Sequence, residues 1–360
     1  MEQLSYANLG ERLLRGKLNN GLTLYVLPRS GYCRQFAFLA TRYGGIHQRF
    51  LQADGSWIDT PAGVAHFLEH KMFDSPDGSE LKTFAATGAE YNAFTAADMT
   101  GYYFTCTDGF EENLRALLGL VSRPYFTQER VDKEQGIIGQ EIGMCLDEPG
   151  NGVYYQLLEN LYAHHPIRQE LAGTVESISH ITADTLYQCH GAFYRPGNMV
   201  LCVGGDVDAQ LVARVAEELL PVDPLGAACT DLGDRELPQA VRAYGEKEMA
   251  VSVPLFELGF KGEPPQPGES LRQRLMGELA CDVLFSASAP LYSRLYEQGL
   301  INSSFDSMYD CAPGCAHIMA GGESRDPKAV MEAVLEEARR LTSEGVEPQL
   351  WERLKRAAYG

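Results

Sequence analysis

Two histidines and a glutamate within five consecutive positions are the residues of this sequence whose types and spacing best suit chemistry. His66, Glu69 and His70 form the pattern HxxEH. On a helix, residues four apart lie on one face, so both imidazoles can bind one metal ion. Glu69 leans toward the same face, where it can accept a proton from a water on the metal without being a ligand. Taken alone, the pattern also fits an exposed helix with two solvated histidines.

A second helical segment supplies candidate carboxylate ligands. Catalytic zinc sites use three protein ligands and leave one position open for water. Glu134 and Glu141 are seven residues apart, close to two helical turns, and share a face of a helix predicted over 127–146. Ile137 and Ile142 are expected to point away from that face and pack. Two carboxylates on a partly apolar face are costly without a nearby cation, so the two segments together favour a zinc site over a solvated charged face.

The elements around these residues predict an α+β fold, in which mostly antiparallel sheets are flanked by helices. Strands are predicted near 21–28, 35–43, 90–95, 100–107, 198–203, 250–260 and 303–322. Helices are predicted near 60–73, 80–87, 109–122, 127–146, 152–162, 182–193, 208–220, 269–285, 290–298 and 326–344. The helix that carries HxxEH is expected to begin at the cap Thr60, with Pro61 at its first position.

The chain is expected to form two related domains, because the order of elements is similar in its two halves. Residues 221–240 lack periodicity and are rich in Pro, Gly and Asp, which predicts a linker. We therefore expect a zinc-bearing domain over 1–220 and a second related domain over 241–360. A new helical pattern starts near Glu347 shortly before the sequence stops, so the second domain is expected to be truncated at its C-terminus.

Composition excludes some classes of partner. The 360 residues carry a net charge of −19 without a cluster of cations, which argues against nucleic-acid binding. No apolar run is long enough to span a membrane, and the N-terminus lacks the apolar core of a signal peptide. A cytoplasmic protein with its nine cysteines reduced is therefore expected. Cys311 and Cys315 in CAPGC are interpreted as two thiols at a turn, with metal binding or cross-linking as the alternative.

The zinc constellation resembles the metal signature of the pitrilysin/insulinase (M16) family of metallopeptidases, which are inverzincins. HFLEH at 66–70, followed after 70 intervening residues by Glu141, matches that signature, and Glu134 matches the accessory glutamate. The segment HFLEHKMF resembles one bacterial branch that contains paired zinc-bearing and zinc-lacking subunits. Similarity extends to the segments 63–65, 71–73, 92–95, 165–166, 173–174 and 194–199.

The resemblance implies a zinc-dependent endopeptidase or oligopeptidase whose two domains face each other across a chamber. One zinc ion per chain would be bound by His66, His70 and Glu141. Glu69 would be the general base that acts on zinc-activated water, and Glu134 would assist catalysis.

The resemblance also implies how a peptide substrate binds. In this family, substrates add as an extra strand to an exposed sheet edge, which here would be Glu90–Thr95. Asn92, Ala93 and Phe94 would contact the substrate, and Asn92 would orient it. A turn-forming Asn is the alternative for that residue.

One segment departs from the family pattern. Self-sufficient members carry an Arg and a Tyr seven residues apart in the second domain, and the matching stretch 295–302 is one residue short. Tyr296 falls at the Arg position and Asn302 at the Tyr position, while Arg294 is close enough to substitute. The departure implies a homo- or heterodimer in which a related chain supplies the Arg/Tyr pair. The alternative is a zinc-binding subunit that is largely structural, or inactive alone.

Overall fold

The computed structural model describes residues 1–359, and the chain divides into two compact units. Unit 1 comprises Met1–Ile142 and Glu170–Leu232, and unit 2 comprises Gly143–Gln169 and the chain from Gly233 onward. The strands are β1 (Glu2–Tyr6), β2 (Glu11–Lys17), β3 (Thr23–Pro28), β4 (Gln35–Thr41), β5 (Arg49–Leu51), β6 (Trp57–Asp59), β7 (Glu90–Thr95), β8 (Thr100–Cys106), β9 (Met199–Gly205), β10 (Thr230–Asp231), β11 (Leu255–Lys261), β12 (Asp306–Ala312) and β13 (Cys315–Glu323). The α-helices are α1 (Val64–Lys71), α2 (Ser79–Thr87), α3 (Phe110–Ser122), α4 (Gln128–Asp147), α5 (Pro149–Leu161), α6 (Val175–Ser179), α7 (Ala183–Phe193), α8 (Ala209–Leu219), α9 (Ser270–Phe285), α10 (Pro290–Glu297), α11 (Pro327–Glu344) and α12 (Pro348–Tyr359).

Unit 1 is built on a seven-stranded sheet in the order β1-β2-β3-β9-β4-β8-β7. Its pairs are antiparallel except for β3 and β9, which run parallel. Alternate residues of the central strands point into one core, and Leu24, Leu39, Phe104 and Leu201 are fully buried there. Helices α1, α3 and α8 contact this sheet. A second, three-stranded sheet of unit 1 has the order β10-β5-β6.

Unit 2 contains an antiparallel three-stranded sheet in the order β11-β13-β12. Helices α5 and α9 contact this sheet. Phe256, Phe285, Leu295 and Phe305 belong to its hydrophobic core. A smaller cluster, in which Val283 meets two leucines of α12, holds the last helix against α9.

The predicted α+β class is confirmed, and each predicted strand and helix region contains an element of the expected type. Strands β1, β2, β5, β6 and β10 were not predicted. Strand β10 lies within the expected linker and pairs with β5. None of the nine cysteines forms a disulfide, and no helix within residues 1–359 is long and apolar enough to cross a membrane.

Three local expectations differ from the structure. Helix α1 begins at Val64 rather than after Thr60, whose hydroxyl donates to the carbonyl of Gln48 instead. Helix α4 ends before Pro149 as expected, but helix α5 begins at Pro149 rather than near 152, because proline suits the first helical position. Ile137 is 48% exposed rather than packed.

The division of the chain also differs from the expected boundary near 220. Residues 143–169, expected in the first domain, belong to unit 2 because α5 packs against β11. The unit boundary at 232–233 falls inside the expected linker 221–240.

Candidate metal centre

The histidine-bearing helix α1 begins directly after a glycine whose conformation the fold requires. Gly63 has φ of 90°, and a Cβ atom there would lie 2.4 Å from the carbonyl oxygen of Ala172. A side chain would therefore be strained and would clash at this position. Phe67 is fully buried and anchors α1 in the core. His66 and His70 lie side by side, with ring centroids 4.6 Å apart.

Helix α4 brings a carboxylate to both imidazoles. Val131 and Ile138 are fully buried, which fixes the face that α4 turns to the core. Glu141 Oε1 lies 3.5 Å from His66 Nε2, and its Oε2 lies 3.8 Å from His70 Nε2. One ligand atom from each of these three residues lies within 4.8 Å of the other two, and residues 1–359 contain no other such cluster of His, Cys, Asp or Glu.

The donor set fits zinc. Two imidazole nitrogens and one carboxylate form the ligand type of catalytic zinc sites. Ligand atoms about 2.0–2.1 Å from a tetrahedral zinc ion lie roughly 3.3–3.4 Å from one another. The separations of Glu141 from His66 and His70, 3.5 and 3.8 Å, are close to that value. The carboxylate of Glu141 is therefore placed to share one ion with either histidine, and the three donors all lie within 4.8 Å of one another.

A second carboxylate sets the orientation of His70. Glu134 Oε1 lies 3.2 Å from His70 Nδ1, on the side of the ring away from Glu141. The hydrogen bond to Glu134 raises the pKa of His70, and the same bond lowers the pKa of Glu134. A proton held on Nδ1 leaves Nε2 as the lone-pair donor, which is how a carboxylate commonly orients a metal-binding histidine.

His66 is more buried than His70. Burial lowers the pKa of His66, and the neighbouring His70 lowers it further. Its Nδ1 is buried and has no hydrogen-bond partner among residues 1–359. A neutral imidazole is the form that binds metal, so this environment favours the ligand state.

Glu69, the expected general base, is hydrogen-bonded to a residue of strand β7. Thr95 Oγ1, at the end of β7, donates to Glu69 Oε2 over 3.1 Å. Burial raises the pKa of Glu69, although His70 and Thr95 oppose this effect. Glu69 is not part of the ligand cluster, and it lies next in sequence to one ligand, His70.

The expected substrate strand β7 is the last strand of the seven-stranded sheet. Among the described residues, no strand pairs with its outer side. Asn92 Oδ1 accepts the N–H of Ala93 over 2.9 Å, so its side chain is engaged locally. Phe94 is 38% exposed and stacks against Phe38, with ring centroids 6.0 Å apart. Because strand residues alternate, Asn92 and Phe94 lie on the face opposite Thr95.

Arg294 and Asn302, which lie at or near the positions of the family's Arg/Tyr pair, have partners within unit 2. Arg294 Nη2 lies 3.6 Å from Glu337, whose side chain is 4% exposed. Asn302 donates to Glu323 over 2.7 Å. Tyr296 is 53% exposed.

Sequence reasoning missed two contacts of this site. It did not assign a role to Thr95, which is within hydrogen-bond distance of Glu69, or to Lys71, which contacts Glu134. Lys71 directly follows the histidine pair on a helix that packs in the core, and a lysine in such a position signals a buried ion pair. No local pattern marks Thr95, because its partner is 26 residues away in the chain.

Comparison with known proteins identifies the family of this chain. The sequence pattern described as Insulinase (Peptidase family M16) matches residues 53–175, and that described as Peptidase M16 inactive domain matches residues 180–358. A Bacillus subtilis protein named uncharacterized zinc protease YmfH is 37% identical, over 93% of this chain and 79% of that protein. The chain belongs to the M16 family of peptidases. All three candidate ligands lie in the segment that matches the M16 insulinase pattern.

Solved structures extend the M16 match to the fold. An M16-like peptidase from Alicyclobacillus acidocaldarius superposes with a TM-score of 0.92 at 32% identity, over 99% of this chain and 84% of that one. A Helicobacter pylori protease superposes with a TM-score of 0.80, and at 18% identity this likeness concerns the fold alone. The M16 fold of this chain is therefore supported by sequence and by structure.

Proposed function

We propose that the chain is a zinc-dependent endopeptidase or oligopeptidase. The observation that carries this proposal is the convergence of His66, His70 and Glu141 within 4.8 Å, with Glu69 near enough to interact electrostatically with His70 and Glu141. Membership of the M16 family and relatives named zinc proteases support a metallopeptidase.

The residues divide the work of hydrolysis. His66, His70 and Glu141 would hold one zinc ion per chain. Bound zinc supplies Lewis acidity, which makes a water molecule easier to deprotonate and polarises the peptide carbonyl. Glu69 takes the proton from the attacking water and can pass it to the leaving amine. Glu134 holds the Nδ1 proton of His70 and thereby keeps Nε2 turned to the ion.

Substrate binding is proposed at the outer side of β7. A peptide added there as an extra strand would be held mainly through its backbone, which suits substrates of varied sequence. Asn92, Ala93 and Phe94 would line this strand. Thr95 terminates it and contacts Glu69, so the strand and the base are joined by one hydrogen bond.

A partner chain is part of the proposal. The stretch 295–302 offers Tyr296 and Asn302 where self-sufficient relatives have Arg and Tyr, and Arg294 is paired with Glu337. In a heterodimer, a related chain would supply the missing cation and hydroxyl, whereas a homodimer would bring only second copies of Tyr296 and Asn302. The second candidate function, a zinc-binding subunit with little activity alone, rests on the same substitutions. We place this assembly in the cytoplasm.

Zinc content tests the metal site. Protein prepared without added metal should contain about one zinc per chain, and His70→Ala should lose most of it. His164→Ala is the matched control, because His164 is exposed and lies outside the cluster. Equal zinc content in all three proteins would refute the site.

A second substitution separates base from ligand. Glu69→Gln should keep the zinc but reduce peptide cleavage by roughly 10²–10⁴-fold. Loss of zinc from this variant would instead make Glu69 a ligand.

The need for a partner is tested by measuring peptide cleavage with and without the related chain. Full activity of the lone protein would contradict that need.

A further inference from the structure

A buried lysine lies directly behind the candidate metal site. The side chain of Lys71 is 3% exposed. Its Nζ lies 3.3 Å from Glu134 Oε2 and 3.4 Å from the carbonyl oxygen of Arg130, and it also pairs with Asp74. Asp74 in turn lies 3.4 Å from the guanidinium of Arg130. Two cations and two carboxylates therefore form one network.

Burial explains why Lys71 has two carboxylate partners. A lysine ammonium removed from water is strongly unfavourable unless carboxylates compensate its charge. Glu134 uses its two oxygens differently: Oε2 faces Lys71, and Oε1 faces His70 Nδ1 at 3.2 Å. The ammonium thus fixes the rotation of the carboxylate, so that its other oxygen stays on the imidazole.

We infer that Lys71 is a positioning residue of the metal site, which acts on His70 through Glu134. By holding Oε2 of Glu134, Lys71 keeps Oε1 on Nδ1 of His70 and so presents Nε2 of that histidine toward the ion. This inference rests on the zinc site proposed above. Lys71 thus acts on the site indirectly, through the carboxylate that orients one of the ligands.

A purely structural role for Lys71 makes a different forecast. If Lys71 only anchored the end of α1, its replacement would change the stability of the metal-free protein without a specific dependence on Glu134. If Lys71 acts through Glu134, its effect on zinc binding should disappear once the Glu134 carboxylate is absent. The two roles are therefore separated by a double-mutant cycle.

The experiment measures zinc dissociation constants by competition with a chromogenic chelator. The proteins are wild type, Lys71→Met, Glu134→Gln and the double variant. Methionine keeps the linear shape and removes the charge. Lys133→Met is the matched control, because Lys133 is an exposed lysine next to Glu134 in sequence. Urea unfolding of each metal-free protein checks that it is folded.

Glu134→Gln should weaken zinc binding roughly 10–100-fold, as is typical for residues that orient a metal ligand. Lys71→Met should weaken it by about 10-fold, the double variant should bind no more weakly than Glu134→Gln alone, and Lys133→Met should match wild type. If Lys71→Met does not fold, Lys71→Gln takes its place in the same cycle.

Two results would overturn the inference. One is zinc affinity of the Lys71 variant within twofold of wild type. The other is that replacing Lys71 costs the same zinc affinity whether or not the Glu134 carboxylate is present. A wild-type protein that binds no zinc would instead refute the proposed function, and the inference with it.

Discussion

Glu236→Gln is expected to destabilise unit 2 by about 3 kcal/mol at neutral pH. Three consecutive backbone N–H groups, those of residues 163–165, donate to the Glu236 carboxylate over 2.5–3.0 Å. Lys261 Nζ lies 3.1 Å away, and the Glu236 side chain is 6% exposed. Burial alone raises the pKa of Glu236, but these donors outweigh it and lower the pKa from 4.5 to about 2. At about 1.4 kcal/mol per pKa unit, the charged form stabilises the fold by about 3 kcal/mol.

The pH dependence has a definite sign. The folded-state pKa of Glu236 is lower than the unfolded-state pKa, so the unfolded chain binds more protons between pH 4.5 and 2. The stabilisation is therefore complete above pH 4.5 and is lost as the pH falls toward 2. Glutamine resembles the protonated carboxyl group. The difference between wild type and Glu236→Gln should shrink to about half its neutral value near pH 3.

Urea unfolding followed by tryptophan fluorescence measures this difference. The chain has two tryptophans, and Trp57→Phe leaves Trp351 of α12 as the reporter for unit 2. Glu248→Gln is the control, since Glu248 is an exposed residue in the same part of the chain. Equal stability of Glu236→Gln and the control at pH 7 would refute the reasoning. So would a difference that does not diminish on acidification.

Three further predictions concern Thr95, the buried His317 and Arg294. Thr95→Val should lower kcat for peptide cleavage about 10-fold with zinc content unchanged, because it removes a hydrogen bond to the charged base. Thr95→Ser keeps the hydroxyl and should retain most of the wild-type rate. An unchanged kcat in Thr95→Val would show that Thr95 does not position Glu69. Burial lowers the pKa of His317 to about 4, so the unfolded state takes up a proton first as the pH falls from 6.5 to 4. His317→Gln should therefore lose less stability over this range than wild type or the exposed-site control His164→Gln, and parallel urea-unfolding profiles would contradict this. Arg294→Ala should change the rate of peptide cleavage by less than about twofold. It should change the free energy of unfolding by less than about 1 kcal/mol, because Glu337 keeps its 2.7 Å pair with Arg340. A large loss of cleavage would favour a catalytic role for Arg294.

The sequence by itself determined the residues of the candidate metal site and the helices that carry them. Histidines four apart and glutamates seven apart share a helical face because the helix has 3.6 residues per turn. This property is local, so it can be read from spacing. Likewise, the strands predicted from the sequence near 90–95 and 100–107 coincide with β7 and β8. The resemblance to the M16 family then joined the two helices, and their donors do meet within 4.8 Å.

The tertiary structure alone decided which distant residues support that site and where the units divide. Thr95 contacts Glu69 and Lys71 contacts Glu134 across 26 and 63 positions of the chain, so no local period encodes either contact. Helix α1 starts at Val64 rather than after Thr60 because Gly63 packs against a backbone more than a hundred residues away. Residues 143–169 join unit 2 because α5 covers β11. Each outcome depends on packing between separate segments, and that packing is set by the shape of the whole core rather than by the order of neighbouring residues.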